Sequence, residues 1–571
     1  MMNRMESFSG PGKFTRHGFL CSASFLASMI VIAAGIACSG GPQPGDKNIK
    51  DLEYGKFTDF RSTIPEYKEL FNLIRATLSH NQVTFQGKTG PISGFAAGSA
   101  YPQIWLRDAN TIIPASRYFY DLPYLRSWLV EHLAAQKDDG SLEDWLDSRG
   151  KTDKNTTETD QETSAVQAAG QISRVLGDAW LEEKTNGEAI LSRLEKAMLY
   201  VFDHRFDGQR GLVTGAHTAD WGDVDMEHAD QNAIYADDRT HRTCDIYDQS
   251  MFYGAARSLA GMFEGRGMKD KSRSWEEKAG SIQRNTDRWL WQEDKGFYRV
   301  HIHLDSLRHD FDEDGMFAMG GNAEAILSGL ASEEKCRRII ESALARQKSF
   351  GISTIGGTLL PPYPKKFFKH PMMDDPYEYQ NGGQWDWFGG RIVYAMFEHG
   401  FSGQAREKLL EIAKKGVANR GLYEWDSPEG TGRGSAFYSG SAGSLAKALF
   451  EGYFGLKISK ESLELEPKLG PDSAAVHIYI PASDLFAAYV YQYDRKDGNI
   501  VLRYNSNISG RGKIKVLIPD EGPGRVSDKK IGKLSVRRDG ERIPFAQSES
   551  GEDRFVTIET DFQNHVLEIK R

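Results

Sequence analysis

The chain has 571 residues and a formal net charge of -9, a length that supports one large domain with a sizeable core and a smaller one. The acidic balance and the lack of Lys/Arg clusters interleaved with aromatic residues exclude a nucleic-acid groove. Many of the 11 Trp and 23 Tyr residues stand beside Gly, Asp or Asn. That setting is typical of stacking on carbohydrate, although a large helical core also uses many aromatic residues.

Residues 1–38 are predicted to be a lipoprotein-type signal segment. Arg4, Lys13 and Arg16 precede an apolar run over residues 19–37, and small residues stand just before Cys38. This arrangement resembles a bacterial lipoprotein signal with Cys38 lipidated; plain cleavage and an uncleaved anchor are the alternatives. We therefore expect an exported protein of the bacterial cell envelope, in the periplasm or at the outer membrane, that meets a membrane only through its N-terminal lipid or anchor.

Residues 39–60 are predicted to be a polar tether, and residues 61–456 a helical catalytic domain. Apolar residues recur at spacings of three and four in twelve segments, which predicts twelve helices. Short turns join some neighbours and long Gly- and Asp-rich loops join others, which predicts a ring of helical hairpins with one functional face. The predicted helices lie near 62–80, 108–119, 121–137, 160–177, 187–204, 245–266, 270–291, 317–330, 332–347, 385–399, 402–416 and 436–454.

Residues 457–571 show a different pattern, with short β-rich segments separated by turn residues. This pattern predicts an antiparallel β-sandwich domain. It has no cluster of catalytic residue types, so we expect a structural or sugar-contacting cap. The predicted strands lie at 476–480, 487–491, 500–504, 513–518, 556–558 and 566–569.

Cofactor motifs are absent from the sequence: it has no GxGxxG loop, Walker loop or HExxH helix, and its Cys and His residues lack zinc spacing. We therefore expect neither a cofactor nor a metal, with calcium as the one alternative. Asp310, Asp312 and Asp314 match the opening of a calcium loop, with oxygen ligands at alternate positions before Gly315. Gly321 takes the twelfth position in place of Glu, which rules out an EF-hand and favours a solvated acidic turn.

The loop around Trp221 sets Asp220 and Asp223 beside an indole ring, between segments predicted to be helical. An aromatic wall beside a carboxyl group stacks on a sugar face and helps to keep the carboxyl protonated. Inverting glycoside hydrolysis needs a protonated carboxyl at the leaving oxygen and, about 6.5–9.5 Å away, a carboxylate that activates water. We therefore predict Asp220 as the general acid, with Asp223 as its rival.

Four motifs in this order resemble the six-hairpin (α/α)6-barrel glycosidases. Residues 105–108 are similar to the W-x-R-D loop of glucoamylases and related enzymes. Residues 219–223 and 381–383 resemble the A-D-W-N-D and N-G-G loops of the cellobiose phosphorylase family, whose Asp is the general acid. Residues 437–443 and 450–456 resemble that family's Y-T-G-S-A-G helix and its closing E-G-x-x-G-L. The resemblance implies a mostly α fold, an (α/α)6 toroid of helical hairpins with the C-terminal antiparallel β-sandwich.

The resemblance also implies roles for individual residues. Arg107 and Asp108 would grip hydroxyls of the sugar at the cleavage point, with a buried structural ion pair as the competing interpretation. Glu424 fits the place of the Glu in trehalase-like enzymes and is predicted to be the base; Glu378 is its rival, and a surface salt bridge is the plainer interpretation. The phosphorylases carry a phosphate-binding His shortly after N-G-G, where this chain has residues 384–387 (Gln-Trp-Asp-Trp), so water is the expected acceptor.

These patterns together predict an inverting glycoside hydrolase that cleaves terminal sugars from oligosaccharides or disaccharides. A disaccharide phosphorylase of the cellobiose phosphorylase type, a lyase or epimerase, and a non-catalytic sugar-binding lipoprotein are the alternatives. Helix capping would equally explain the Asp at position 160, and core packing would explain the Trp residues. The remaining residues predicted to contact substrate are Trp105, Asp160, Glu162, Trp221, Asn381, Gln384, Trp385 and Trp387.

Overall fold

The computed structural model describes residues 55–519 and 534–571. Of these residues 39% are helical and 25% lie in strands, so the fold is mixed rather than mostly α. The predicted signal segment, including Cys38, lies outside the described residues. Within the described ranges, no helix has the length and apolarity needed to cross a membrane.

Twelve α-helices fill the first part of the described chain, and each overlaps one of the twelve predicted segments. A wider π-helical turn, Ala448–Tyr453, continues the last of them. The helices are α1 (Pro65–His80), α2 (Leu106–Ser116), α3 (Leu122–Ala134), α4 (Asp160–Leu176), α5 (Ile190–His204), α6 (Ile246–Gly265), α7 (Lys269–Trp289), α8 (Met319–Leu327), α9 (Glu333–Phe350), α10 (Asp386–Glu398), α11 (Ser402–Asn419) and α12 (Ser439–Lys447).

The even-numbered helices contact one another in cyclic order, since α2 packs on α4, α4 on α6, and so on until α12 packs on α2. The odd-numbered helices pack against them. The sequences of the helices explain why the even-numbered ones lie inside and the odd-numbered ones outside. Every residue of α2 is buried. The Lys- and Arg-rich α7 instead buries one stripe of residues at helical spacing, which includes Trp275, Ala279 and Ile282. All six even-numbered helices line one cavity of about 810 Å³.

Long connections lead into the even-numbered helices and short ones lead out of them. The connection from α5 to α6 covers residues 205–245, whereas that from α6 to α7 covers only residues 266–268. The predicted alternation of long and short links is therefore confirmed. The long connections gather at the N-terminal ends of α2, α4, α6, α8, α10 and α12.

Short strands stiffen these long connections, mostly as two-stranded hairpins. Residues of one connection, β11 and β12, form a three-stranded sheet with β15 of the next. The strands of the helical part are β1 (Asp59–Ser62), β2 (Gln82–Gln86), β3 (Pro91–Phe95), β4 (Ile104–Trp105), β5 (Trp145–Leu146), β6 (Thr152–Asp153), β7 (Lys184–Thr185), β8 (Glu188–Ala189), β9 (Phe206–Asp207), β10 (Leu212–Val213), β11 (Gly215–Ala216), β12 (Arg242–Asp245), β13 (Trp291–Gln292), β14 (Phe297–Tyr298), β15 (His301–His303), β16 (Phe317–Ala318), β17 (Leu359–Leu360), β18 (Tyr423–Asp426) and β19 (Gly432–Ala436).

The C-terminal part forms two sheets. Their strand orders are β1-β22-β23-β24-β30-β26-β27 and β20-β21-β25-β29-β28. The hydroxyl of Tyr504 in the first sheet lies 2.7 Å from that of Thr560 in the second. The strands that follow the helices are β20 (Leu456–Ile458), β21 (Leu463–Leu465), β22 (Ala474–Ile480), β23 (Leu485–Asp494), β24 (Asn499–Ser506), β25 (Arg511–Leu517), β26 (Ser535–Arg538), β27 (Glu541–Arg542), β28 (Ala546–Ser550), β29 (Asp553–Asp561) and β30 (His565–Lys570).

Two features of these sheets differ from the sequence prediction. The pairing is not wholly antiparallel, because β21 and β25 run parallel with Leu465 opposite Ile514. In addition β1 pairs with β22, so Asp59 and Phe60, which were predicted to end the tether, belong to the first sheet. The buried Phe60 ring explains this, since its centroid lies 4.7 Å from that of Phe454 beyond α12.

Candidate active site

Polar side chains converge where the long connections enter the even-numbered helices. Arg107 lies in the first turn of α2, Asp160 begins α4, and Asp223 lies in the connection to α6. Glu424 lies on β18, in the connection to α12. Unsatisfied N–H groups make a helix N-terminus favourable for negative charge, which suits a site rich in carboxylates.

The buried guanidinium of Arg107 is the centre of this cluster. Its Nη1 contacts Glu158 and lies 3.3 Å from Oδ2 of Asp160, and its Nη2 lies 3.8 Å from Oδ2 of Asp223. Although burial lowers the pKa of Arg107, the three carboxylates raise it well above its usual value. Burial, with repulsion among the carboxylates, raises the pKa of Glu158 and Asp160. The single positive charge of Arg107 therefore faces more acidic groups than it can neutralise.

Asp223 is held at the edge of this cluster with part of its side chain open. Its side chain is 16% exposed, and Oδ1 accepts a hydrogen bond of 2.9 Å from Nε2 of Gln380. Its backbone carbonyl accepts hydrogen bonds from Asn155 and Thr157, which fix the loop. The carboxyl group of Asp223 is therefore both positioned and accessible.

Glu424 is a second carboxyl group with fixed geometry. The Tyr101 hydroxyl donates to Oε1 and the Ser435 N–H donates to Oε2, both at 2.9 Å. Burial raises the pKa of Glu424 to about 7, and the charges of Asp108 and Asp223 add to the rise. Burial raises the pKa of Tyr101 as well, again with contributions from Glu424 and Asp223. Glu424 therefore accepts the hydrogen bond of the Tyr101 hydroxyl, and the nearby charge of Asp223 contributes to raising the pKa of both groups. The rival base, Glu378, is exposed.

Asp108 completes the polar wall next to Arg107. Burial raises its pKa, whereas the charge of Arg107 and a hydrogen bond from Tyr438 lower it. Its Oδ1 is buried without a hydrogen-bond partner within the described residues. A buried acceptor of this kind is suited to a ligand hydroxyl.

Asp220, predicted to be the general acid, is buried and bonded to the start of α8. The Gly321 N–H, at the start of α8, donates to both carboxylate oxygens at 2.9 and 3.1 Å. The residue is 2% exposed, and burial raises its pKa to about 7. A Cβ atom at Gly320 would lie 2.6 Å from Oδ2 of Asp220, so only glycine allows this approach. Asp220 therefore ties its loop to the N-terminus of α8, and no ion pair links it to Arg107.

The indole rings near the cluster fall into two groups: two are buried against Arg107, and one is partly exposed at the edge. Trp221 and Trp387 are buried, and each ring centroid lies 5.9 Å from the guanidinium carbon of Arg107. Such cation–π contacts stabilise a buried charge. Trp105 is only partly buried, and its ring lies 6.1 Å from that of Trp145 and 6.4 Å from that of Tyr101. Trp105 is therefore the predicted Trp residue best placed to meet a sugar ring.

Four of the predicted substrate contacts are instead buried and occupied by other parts of the chain. Lys154 pairs with Glu162 at 2.8 Å, and the Trp385 indole donates to the carbonyl of Tyr379 at 3.0 Å. These side chains hold the long connections in place because their polar atoms already have protein partners. The other two are Asn381, bonded to the backbone of Tyr363, and Gln384, bonded to Thr354 and Ser427.

Four cluster residues were not among the predicted site residues: Tyr101, Glu158, Gln380 and Tyr438. Each lies within six residues of a predicted motif in the sequence. Proximity to a motif was therefore a usable signal. Their roles depend on contacts with distant parts of the chain, such as that between Tyr101 and Glu424.

The acidic loop that holds Asp310, Asp312 and Asp314, predicted as a possible calcium site, lies within the described residues. Asp312 accepts a hydrogen bond of 3.0 Å from the Gly315 N–H, and Asp314 pairs with Arg299 at 3.2 Å. The exposed Asp310 precedes them. Two of the three carboxylates therefore have partners within the protein, and calcium binding stays a prediction.

Comparison with known proteins gives both a family and a fold. A family model described as the mannosylglycerate hydrolase MGH1-like glycoside hydrolase domain matches residues 101–439, more than half of the chain. A search of curated proteins finds no match. An α-L-rhamnosidase from Dictyoglumus thermophilum is similar in structure, with a TM-score of 0.60 and 13% identity over 93% of this chain and 52% of its own.

Two further solved structures resemble the chain. A GH78 family rhamnosidase of a Bacillus species has a TM-score of 0.56 and 14% identity, over 82% of this chain and 44% of its own. A GH63 mannosylglycerate hydrolase from Thermus thermophilus, in complex with glucose, has a TM-score of 0.48 and 15% identity, over 67% of this chain and 99% of its own. The chain spans about half the length of the two rhamnosidases, so that likeness concerns the fold alone.

The family match covers the Arg107 cluster, Asp223 and Glu424 alike, because all of them lie within residues 101–439. It also confirms the resemblance to six-hairpin glycosidases. The chain belongs to the MGH1-like glycoside hydrolase family and is a glycosidase.

Proposed function

We propose that this protein is an inverting, exo-acting glycoside hydrolase in which Asp223 is the general acid and Glu424 the general base. Its scaffold, on this proposal, is an (α/α)6 toroid with a C-terminal β-sandwich. The observation that carries the proposal is the shared environment of the two carboxyl groups. Asp223 lies 3.8 Å from Arg107, Glu424 accepts a hydrogen bond from Tyr101 at 2.9 Å, and the charge of Asp223 contributes to raising the pKa of Glu424.

The acid role goes to Asp223 rather than Asp220 because of the partners that each already has. Both oxygens of Asp220 are engaged by the first turn of α8, and the residue is 2% exposed. The partly exposed Asp223 keeps a carboxyl edge for a leaving oxygen, and Gln380 orients it at 2.9 Å. A general acid must reach the atom that it protonates, so the greater exposure of Asp223 supports its assignment as the acid.

The base role of Glu424 follows from its fixed orientation. Two donors, from Tyr101 and Ser435, hold its two oxygens, as a group that must aim at one water requires. Because burial raises its pKa to about 7, Glu424 is ionised above that pH and can then take a proton from water. The acidic limb of kcat/KM is therefore expected near pH 7, falling about tenfold per pH unit below it.

The sugar at the cleavage point would lie against Arg107 and Asp108. Charge-assisted hydrogen bonds from a guanidinium, and acceptance by a buried carboxyl group, suit the hydroxyls of one sugar ring. Trp105 offers an apolar face at the rim. In this arrangement Asp223 gives its proton to the leaving oxygen while Glu424 activates a water on the opposite face. The description of the family model gives the first substrate to test, mannosylglycerate.

We also propose that the protein is exported and tethered to the cell envelope through a lipid on Cys38. Small residues directly before Cys38 and the Gly/Pro sequence after it support this.

The first prediction separates the two candidate acids. Asp223→Asn is expected to lower kcat/KM on a natural glycoside by about 10²–10⁴-fold, the usual contribution of a general acid. Asp220→Asn is the matched control and should lose less than about tenfold, since its amide oxygen can still accept the Gly321 N–H. Steady-state assays on mannosylglycerate and a panel of disaccharides measure both. The reverse ranking would return the acid role to Asp220.

The second prediction separates acid from base with a glycosyl fluoride, because fluoride leaves without protonation. Asp223→Asn should recover most of its activity on the fluoride, whereas Glu424→Gln should stay at least about 10²-fold impaired on both substrates. Glu378→Gln, which alters an exposed side chain, is the control and should match the parent enzyme. Recovery of Glu424→Gln on the fluoride, with Asp223→Asn remaining inactive, would exchange the two roles.

The third prediction concerns the N-terminal lipid. In a bacterial host the full chain should incorporate labelled palmitate and sediment with membranes, and Cys38→Ser should do neither. Cys244→Ser is the control and should keep the label, because that thiol is buried in the folded part of the chain. Equal labelling of the parent chain and Cys38→Ser would rule out the lipoprotein assignment.

A further inference from the structure

Four histidines surround one glutamate beneath the loop that carries Asp220 and Asp223. His217 follows β11 in the connection to α6, whereas His301 and His303 on β15 lie with His309 and Glu313 in the connection between α7 and α8. Nε2 of His303 lies 2.7 Å from Oε2 of Glu313, and Nε2 of His217 and of His309 lie 3.1 and 3.4 Å from Oε1. Neither the glycosidase chemistry nor the cluster around Arg107 uses this group.

Hydrogen bonds alone do not account for this crowding. Oε1 of Glu313 has four neighbours within 3.5 Å, from His217, His301, His309 and the hydroxyl of Tyr363. A carboxylate oxygen offers only about two lone-pair sites, so these groups cannot all be its donors. The His309 side chain is 8% exposed, and its Nε2 points to Glu313 yet forms no hydrogen bond within the described residues. An unpaired nitrogen of this kind has a lone pair to offer.

The ligand atoms converge closely enough to share one ion. One atom from each of His217, His303, His309 and Glu313 lies within 4.8 Å of the other three. Zinc bonds of about 2.0–2.2 Å in tetrahedral geometry place the ligand atoms about 3.3–3.6 Å apart, a spacing that small side-chain movements within this group can reach.

We propose that His217, His303, His309 and Glu313 bind a divalent transition-metal ion of the zinc type. Three imidazoles and one carboxylate are a borderline-soft donor set that suits zinc and disfavours calcium, which takes six to eight oxygens. Four protein ligands make a closed site, which is the structural kind. Glu313 stands between Asp312 and Asp314, so the site shares the loop predicted for calcium but takes its metal through a different side chain.

The ion would hold in place the loop that carries Asp220 and Asp223. His217 precedes Asp220 by three residues, so the metal would fix that loop to β15 and to the turn at Glu313. Tyr363 extends the support, because its hydroxyl donates to Glu313 at 2.7 Å and its N–H donates to Asn381 at 2.8 Å. Partners of this kind orient the ligands of a metal site.

Metal analysis of the full chain tests the proposal. After dialysis against zinc and removal of free ion, the parent protein should hold one zinc per chain, and Co²⁺ in its place should give the visible bands of a tetrahedral site. His303→Ala and His309→Ala should each lose more than about tenfold in zinc affinity. His241→Ala, at a partly exposed histidine outside the group, is the matched control and should keep the full equivalent.

Thermal unfolding supplies a readout that does not depend on activity and that can be taken on the parent protein alone. Added zinc should raise the Tm of the parent protein and of His241→Ala, because an ion that binds only the folded state stabilises it. It should leave the Tm of His309→Ala unchanged. A parent protein that retains no zinc and shows neither a Tm shift nor cobalt bands would overturn the proposal. Full zinc retention by both ligand variants would overturn it as well.

Discussion

The buried positive charge of Arg107 is the constraint on which the site depends. A guanidinium removed from water is tolerated only with close counter-charges, and here Glu158 and Asp160 supply them, while Asp223 approaches Arg107 from a different connection. Through these contacts Arg107 joins the first turn of α2 to the start of α4 and to the loop before α6. Burial and mutual repulsion raise the pKa of Glu158 and Asp160 beside it, so the site concentrates acidic groups around one positive charge.

The ring of helices explains why these groups meet. Each even-numbered helix begins at the end of a long connection, so six N-termini and their loops surround one region. Rigid helices then carry residues that are far apart in the chain to within hydrogen-bond distance, as with Tyr101 and Glu424. Other side chains in the same loops bond to the protein itself: Asp220 accepts the Gly321 N–H of α8, and Asn381 bonds the backbone of Tyr363. A shared loop therefore does not imply a shared role.

The helices could be predicted because apolar spacing is a local property, and all twelve segments overlap observed helices. Arg107 and Glu424 could be found because each lies in a short motif. The partner of Asp220 could not be predicted from the sequence, because Gly321 lies 101 residues away along the chain. Strand β1 and the parallel pair β21–β25 were missed for the same reason, since pairing partners are not encoded locally. The pair of His residues at 301 and 303 was a local signal for the histidine group. Their partner His217 lies more than 80 residues away in the sequence, so the group could not be predicted.

The stereochemistry of the first turnovers tests the central claim most directly, because it reports whether water attacks across from the leaving group. Proton NMR of the sugar released from a substrate of defined anomeric configuration, recorded before mutarotation, gives the answer. With Asp223 as acid and Glu424 as base on opposite faces, the first product should have the inverted configuration. Release of the retained anomer would contradict the account, since it requires a covalent intermediate on a carboxylate in place of an activated water.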